Sequence, residues 1–173
     1  MFGAIYNPIR QEYYYAIQGQ GAFLQNLATN QTTKLKTSQV KDLKKALICS
    51  EFGAAYGDYS KVEQKWTREL QPLLLYPVHG IRQLGAATMN LMAVARGSTD
   101  AYIESGLKPW DMAAGELIVR EAGGIVAAID QGTEFSLTGA QLLATGTADL
   151  SSQILCLLHK HCTLAETSSC SCA

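Results

Sequence analysis

Two carboxylates, Glu104 and Asp111, bracket the Gly/Pro turn Ser105-Gly106-Leu107-Lys108-Pro109, which joins a strand pattern to a helix pattern. In layered α/β proteins this is where ligands gather, because strands end there and the amides of the next helix start are free to meet an anion. Two hard oxygen donors at such a place suit phosphate-and-metal chemistry. They also suit a plainer role, with Asp111 closing the helix start and Glu104 as a solvated strand end, and spacing alone does not separate the two. Gly85-Ala86-Ala87 is a second candidate, since a glycine at a helix start lets backbone approach a ligand, although small residues there equally serve helix packing. His79 lies at a turn, and His159 and His161 at the end of the last helix pattern; none has a companion at metal-ligand or relay spacing. Asp130-Gln131-Gly132-Thr133 has the look of an acidic metal loop, but a turn between strands explains it as well.

The elements that must position these residues follow from periodicity. Phe2 to Tyr6 and Glu12 to Ile17 read as a hairpin closed by Gly19-Gln20-Gly21, with a short strand at Ala22-Phe23-Leu24. Asn26 to Lys36 reads as a polar surface excursion, and Ser38 to Leu43 as a loop or helical turn. Ala46 to Ser50 is a buried strand, and Tyr59 to Leu75 has apolar residues at helical spacing. Gly85 to Ala95 is a small-residue helix that demands close packing. Ala101-Tyr102-Ile103 is a strand that sets Asp100, Tyr102 and Glu104 on one face. A helix from Pro109 to Ala122 is stopped by Gly123-Gly124. Strands at Ile125 to Ile129 and Gln141 to Ala144 precede a helix from Asp149 to His161, with Asp149 as its candidate cap. Trp66 and Trp110 read as core anchors. Residues 1–36 are expected to form an antiparallel sheet layer, 37–162 an α/β unit and 163–173 a tail.

The stretch Trp110-Asp111-Met112-Ala113-Ala114-Gly115-Glu116-Leu117-Ile118-Val119-Arg120-Glu121-Ala122-Gly123-Gly124 resembles the C-terminal signature of the inositol monophosphatase family. Val78 to Arg82 with Gly85-Ala86-Ala87, the run Asp100 to Glu104, and Ile5-Tyr6-Asn7-Pro8 through Ala16 to Ala22 are similar in order and spacing. The resemblance implies a partial α/β/α/β/α layered sandwich of the inositol monophosphatase/fructose bisphosphatase type, a homodimer, and magnesium-dependent hydrolysis of inositol monophosphate. It further implies that Asp111 is a ligand of Mg2+, that Glu104 contacts an inositol hydroxyl, and that the backbone of Gly85, Ala86 and Ala87 lines the substrate. A related phosphatase for another sugar phosphate or a nucleotide bisphosphate is the nearest alternative activity. The family's upstream Glu and its Asp-Pro-x-Asp-Gly-Thr loop, which hold most of the metal, do not occur in these residues. The expectation is therefore a chain from the C-terminal part of such an enzyme, inactive by itself, or a non-catalytic partner of a full-length relative. The opening strand, which begins with no lead-in, points the same way.

Bulk properties restrict the partners. With 47% hydrophobic and 17% charged residues the chain is globular, and a formal charge of -1 gives no electrostatic reason to expect nucleic acid or anionic membrane. The five cysteines show no paired Cys-x-x-Cys spacing, which argues against a zinc site and for reduced thiols in a cytoplasmic protein. No apolar run approaches the length of a bilayer span.

Overall fold

The computed structural model describes residues 1–51, 71–130 and 133–159. Strands β1 (Phe2–Asn7), β2 (Glu12–Ile17), β3 (Gly21–Asn26) and β4 (Gln31–Lys34) form an antiparallel sheet in sequential order. Period-two alternation along β2 buries Glu12, Tyr14 and Ala16 and turns Tyr13 and Tyr15 to the other face. There Tyr13 stacks on Tyr15 with ring centroids 5.6 Å apart, and Tyr15 on Phe23 at 5.5 Å. The stretch expected as a surface excursion contains β4, whose four residues are all exposed. Thr32 and Thr33 favour the extended backbone, and an edge strand accepts polar side chains on both faces.

A second sheet has the order β6-β5-β7-β9-β8, from strands β5 (Leu47–Ser50), β6 (Gly80–Arg82), β7 (Ala101–Ser105), β8 (Ile125–Ala127) and β9 (Gln141–Thr145). Strand β5 is parallel to both neighbours, and β9 is antiparallel to β7 and β8. The helices are α1 (Gln71–Leu75), α2 (Ala87–Ala95), α3 (Pro109–Glu121) and α4 (Ala148–Leu158). The part of the predicted Tyr59 to Leu75 helix before Gln71, Trp66, and the residues from Lys160 onward lie outside the described residues.

One apolar core joins the two sheets through α2 and α3. It contains Tyr14, Ala16 and Ala22 from the first sheet, Leu91 and Met92 from α2, Met112 and Ile118 from α3, and Tyr102 and Leu142 from the second sheet. The other face of the second sheet packs Ile48, Ile103 and Leu143 against Leu73 of α1 and Leu150 and Ile154 of α4. The described residues thus stack as β/α/β/α, a mixed α/β sandwich. The small residues of α2 and α3 do the close packing expected of them: a Cβ on Gly115 would fall 2.5 Å from Leu91 Cδ1.

Three details differ from the expectations. The N-cap of α4 is Thr147, whose side chain accepts from Leu150 N, while Asp149 sits in the first turn and pairs with Lys41 at 3.1 Å. A hydroxyl just before the helix reaches the first-turn amides better than a carboxylate already inside it. Trp110 is 77% exposed, because the second position of α3 points away from both sheets. Cys49 is a free, buried thiol as expected, but Cys156 is disulfide-bonded.

Candidate functional site

Strand register brings the separate candidates to one edge. Cys49 of β5 is opposite Arg82 of β6 and Tyr102 of β7, so the three parallel strands end together. Helix α1, which leads into β6, packs in the outer core, whereas α2, which carries the chain from β6 to β7, packs in the inner one. Connections that leave on opposite faces open a crevice at the carboxyl ends of the strands, the usual ligand position in such sheets. Gly85 with the start of α2, and Glu104 with the start of α3, both fall on this edge.

At the first of these, Gly85 has φ +82, a left-handed conformation that glycine adopts without steric cost, and a Cβ there would meet nothing within 4 Å. Backbone conformation, not space, therefore calls for glycine. Glu51, at the end of β5, holds this turn from below: its Oε1 accepts from Leu84 N at 2.7 Å, Gly85 N at 2.8 Å and Asn90 Nδ2 at 2.9 Å. Helix α2 begins after Ala86, which caps it with extended backbone and no side-chain hydrogen bond. Met89 N and Asn90 N both donate to Ala86 O at 3.0 Å, so the earlier amides of Ala87 and Thr88 have no partner inside the helix. They are donors presented at the sheet edge.

At the second, Glu104 is only 7% exposed and accepts from the hydroxyl of Tyr102, two residues earlier on the same strand face. Burial, reinforced by the neighbouring Glu104 charge, pushes the Tyr102 phenol far above its ordinary range, with Asn90 opposing the shift weakly. Tyr102 therefore stays protonated and keeps donating to Glu104. The solvated strand end allowed by spacing is not what the structure shows.

Asp111 is half-buried in the first turn of α3, and its Oδ2 accepts from Lys108 N at 2.8 Å. It therefore performs the helix-closing role that spacing allowed. That bond engages one carboxylate oxygen and leaves the side chain at the same edge as Glu104. Among the described residues no group of three or more His, Cys, Asp or Glu side chains is placed to hold a metal ion. Magnesium takes about six oxygen ligands in a near-octahedral shell and gives up water reluctantly. Asp111 by itself does not meet that demand, so the described residues do not fit a magnesium site on their own.

The remaining candidates go elsewhere. His159 closes α4 and its Nε2 lies 2.6 Å from Ile129 O; His79 donates its amide to Ala46 O at 3.1 Å. His161 is outside the described residues. Asp130 accepts at its carboxylate from Gln141 Nε2 and at its carbonyl from Thr133 N, as a turn residue would. Sequence reasoning missed Glu51 and Asn90. The available signal was an acidic residue directly after a buried parallel strand.

This arrangement defines a class: an α/β sandwich with its open edge where β5, β6 and β7 end. It is similar to the crystal structure of the extragenic suppressor protein suhB from Bartonella henselae, with TM-score 0.78 and 31% identity, over 94% of this chain and 58% of that one. An inositol monophosphatase from Anabaena (Nostoc) sp. PCC 7120 gives TM-score 0.78 and 30% identity, over 95% of this chain and 60% of that one. In sequence, inositol monophosphatase 1 of Homo sapiens is 33% identical over 153 residues, 88% of this chain and 52% of that protein. Inositol monophosphatase 2 of Rattus norvegicus is 36% identical over 151 residues, 86% of this chain and 48% of that protein. The sequence model of the inositol monophosphatase family matches residues 1–163, and the chain belongs to that family. It spans about half the length of the curated relatives it matches.

Proposed function

We propose that this chain is the substrate-recognising part of a magnesium-dependent phosphatase that converts inositol monophosphate to inositol and phosphate. The observation that carries the reading is the convergence, on one sheet edge, of Gly85, Ala86 and Ala87 with Glu104 and Asp111. The amides at the start of α2 donate to ligand oxygens. Glu104, held by Tyr102, accepts from a substrate hydroxyl, a contact that selects a polyol. Asp111 serves as one metal ligand, and the metal, when bound with its remaining ligands, supplies charge that activates water and steadies the leaving oxygen. No hydrolytic step is assigned to the described residues alone, because they do not complete that metal site.

The metal site, incomplete among the described residues, supports a second reading, a non-catalytic partner of a complete relative. A homodimer belongs to the proposal through the family resemblance, and a cytoplasmic location through the absence of paired Cys-x-x-Cys spacing. Among the described residues no helix is long and apolar enough to cross a membrane. Phosphate release from inositol 1-phosphate, with and without magnesium, is the test. The expected result is no magnesium-dependent release by this chain, with saturable inositol 1-phosphate binding that Glu104→Gln weakens roughly tenfold by removing a charged acceptor. Hydrolysis abolished by Asp111→Asn would overturn the inactive-alone expectation. Failure of the wild-type chain to bind would overturn the recognition role and leave the partner reading, which co-purification with a complete relative at micromolar concentration would decide.

A further inference from the structure

The geometry assigns to Glu51 two linked tasks: it fixes the Leu84-Gly85 turn, and it makes the start of α2 a place for a neutral hydroxyl instead of a second phosphate. This rests on the polyol-phosphate reading of the edge. Three donors meet on Glu51 Oε1, two of them consecutive backbone amides at 2.7 and 2.8 Å and the third the buried Asn90 side chain at 2.9 Å. Consecutive amides aimed at one point around a left-handed residue form an anion-binding nest. In many proteins a substrate phosphate fills such a nest, assisted by the positive end of the following helix. Here the protein's own carboxylate fills it.

The consequence is electrostatic. The α2 start has no side-chain cap, so its first amides still offer hydrogen bonds to a ligand, but they do so beside a fixed negative charge. Glu104 adds another on the adjacent strand: Ser50 is paired with Ile103, which puts Glu51 and Glu104 at the next register position of β5 and β7. A hydroxyl, which can accept from an amide and donate to a carboxylate, satisfies both surroundings. A phosphate would accept from the amides and be repelled by both carboxylates. Glu51 is accordingly a positioning and specificity residue that disfavours substrates with a second phosphate near Gly85, such as a nucleotide bisphosphate.

Backbone amide exchange and ligand shifts, read by NMR on the whole chain, separate the two tasks. Glu51→Ala removes acceptor and charge; Glu51→Gln keeps an acceptor oxygen and removes only charge. Leu84 and Gly85 amides are expected to be protected in the wild type and in Glu51→Gln, and to exchange roughly tenfold faster in Glu51→Ala. Titrated with inorganic phosphate, the Ala87 and Thr88 amides should respond weakly in the wild type, with affinity about fivefold higher in Glu51→Gln, the scale of one charge at a helix start. Titrated with myo-inositol, they should respond in both. Unchanged exchange in Glu51→Ala overturns the positioning task. Phosphate affinity that is equal in wild type and Glu51→Gln, or absent from both, overturns the selection. If myo-inositol and inositol 1-phosphate move none of these amides in the wild type, the polyol reading itself fails, while the exchange comparison, which needs no ligand, still decides whether Glu51 holds the turn.

Discussion

Glu51 and Glu121 perform the same chemistry at two ends of the molecule. Each is a carboxylate that accepts two backbone amides from a turn containing glycine. Glu121, the last residue of α3, takes Gly19 N on Oε1 and Gly21 N on Oε2, both at 2.8 Å. It fastens the β2–β3 turn to the helix layer, and those two hydrogen bonds hold its carboxyl below the ordinary range. Glu51 places both amides on a single oxygen and sits where three parallel strands stop. One clamp closes an internal joint; the other frames an open edge. A carboxylate clamp is thus a device of the fold, and its position at the carboxyl end of a parallel sheet is what makes it a candidate for recognition.

The largest expected effect comes from disturbing α3, which carries Glu121 at its end and Asp111, at the open edge, near its start. Gly115→Ala forces a Cβ against Leu91 and should cost about 1–3 kcal/mol, read as a lower denaturation midpoint. Because α3 carries Asp111 near its start and Glu121 at its end, the amides of Gly19, Gly21 and Lys108 should all shift in this variant. Movement at one end only would mean that the Asp111 and Glu121 contacts do not share a rigid helix.

A buried carboxylate in the first sheet provides the next test. Glu12 is 5% exposed and accepts from Tyr14 Oη at 2.7 Å and Arg10 Nε at 3.0 Å, with Arg96 3.8 Å away. Burial works against its charge, but the Tyr14 and Arg10 hydrogen bonds and the two guanidinium charges outweigh it and lower its pKa. Its contribution to stability is therefore full above the ordinary value of 4.5 and is lost as pH falls through the lower folded value. Tyr14→Phe should cost about 1–3 kcal/mol near neutral pH, since it takes a donor from a buried acceptor, and the difference from wild type should shrink in acid. A difference independent of pH would show that the Tyr14 hydroxyl acts through Arg96, which donates to it, and not through the Glu12 charge. Glu121→Gln should have the smallest effect: faster exchange at Gly19 and Gly21 with Leu84 and Gly85 unaltered. Coupled changes at both turns would erase the distinction between a joint and an edge.

What could be read in advance follows the range of the interactions involved. Period-two alternation was enough to place Tyr102 and Glu104 on one face, and the punctuation of Pro109 and Gly123-Gly124 bounded α3, because both depend on neighbours along the chain. The short reach from Asp111 to Lys108 was legible for the same reason. Glu51 was not: its amide partners lie 33 and 34 residues away and meet it only after β5 and β6 pair. The exposure of Trp110 was hidden too, since residue type favours burial while the direction of one helical position depends on which layers flank the helix. Thr147 displaced Asp149 as a cap through a boundary shift of about two residues, which sequence patterns place poorly.

The most direct test of the central claim is a map of backbone amide shifts on adding inositol 1-phosphate to this chain. Perturbation confined to Gly85 through Thr88 and Glu104 through Asp111, with Gly19 to Gly21 silent, is the predicted result. Saturable binding that instead moves the Gly19 to Gly21 turn, or that leaves the edge at β5, β6 and β7 unmoved, would contradict it.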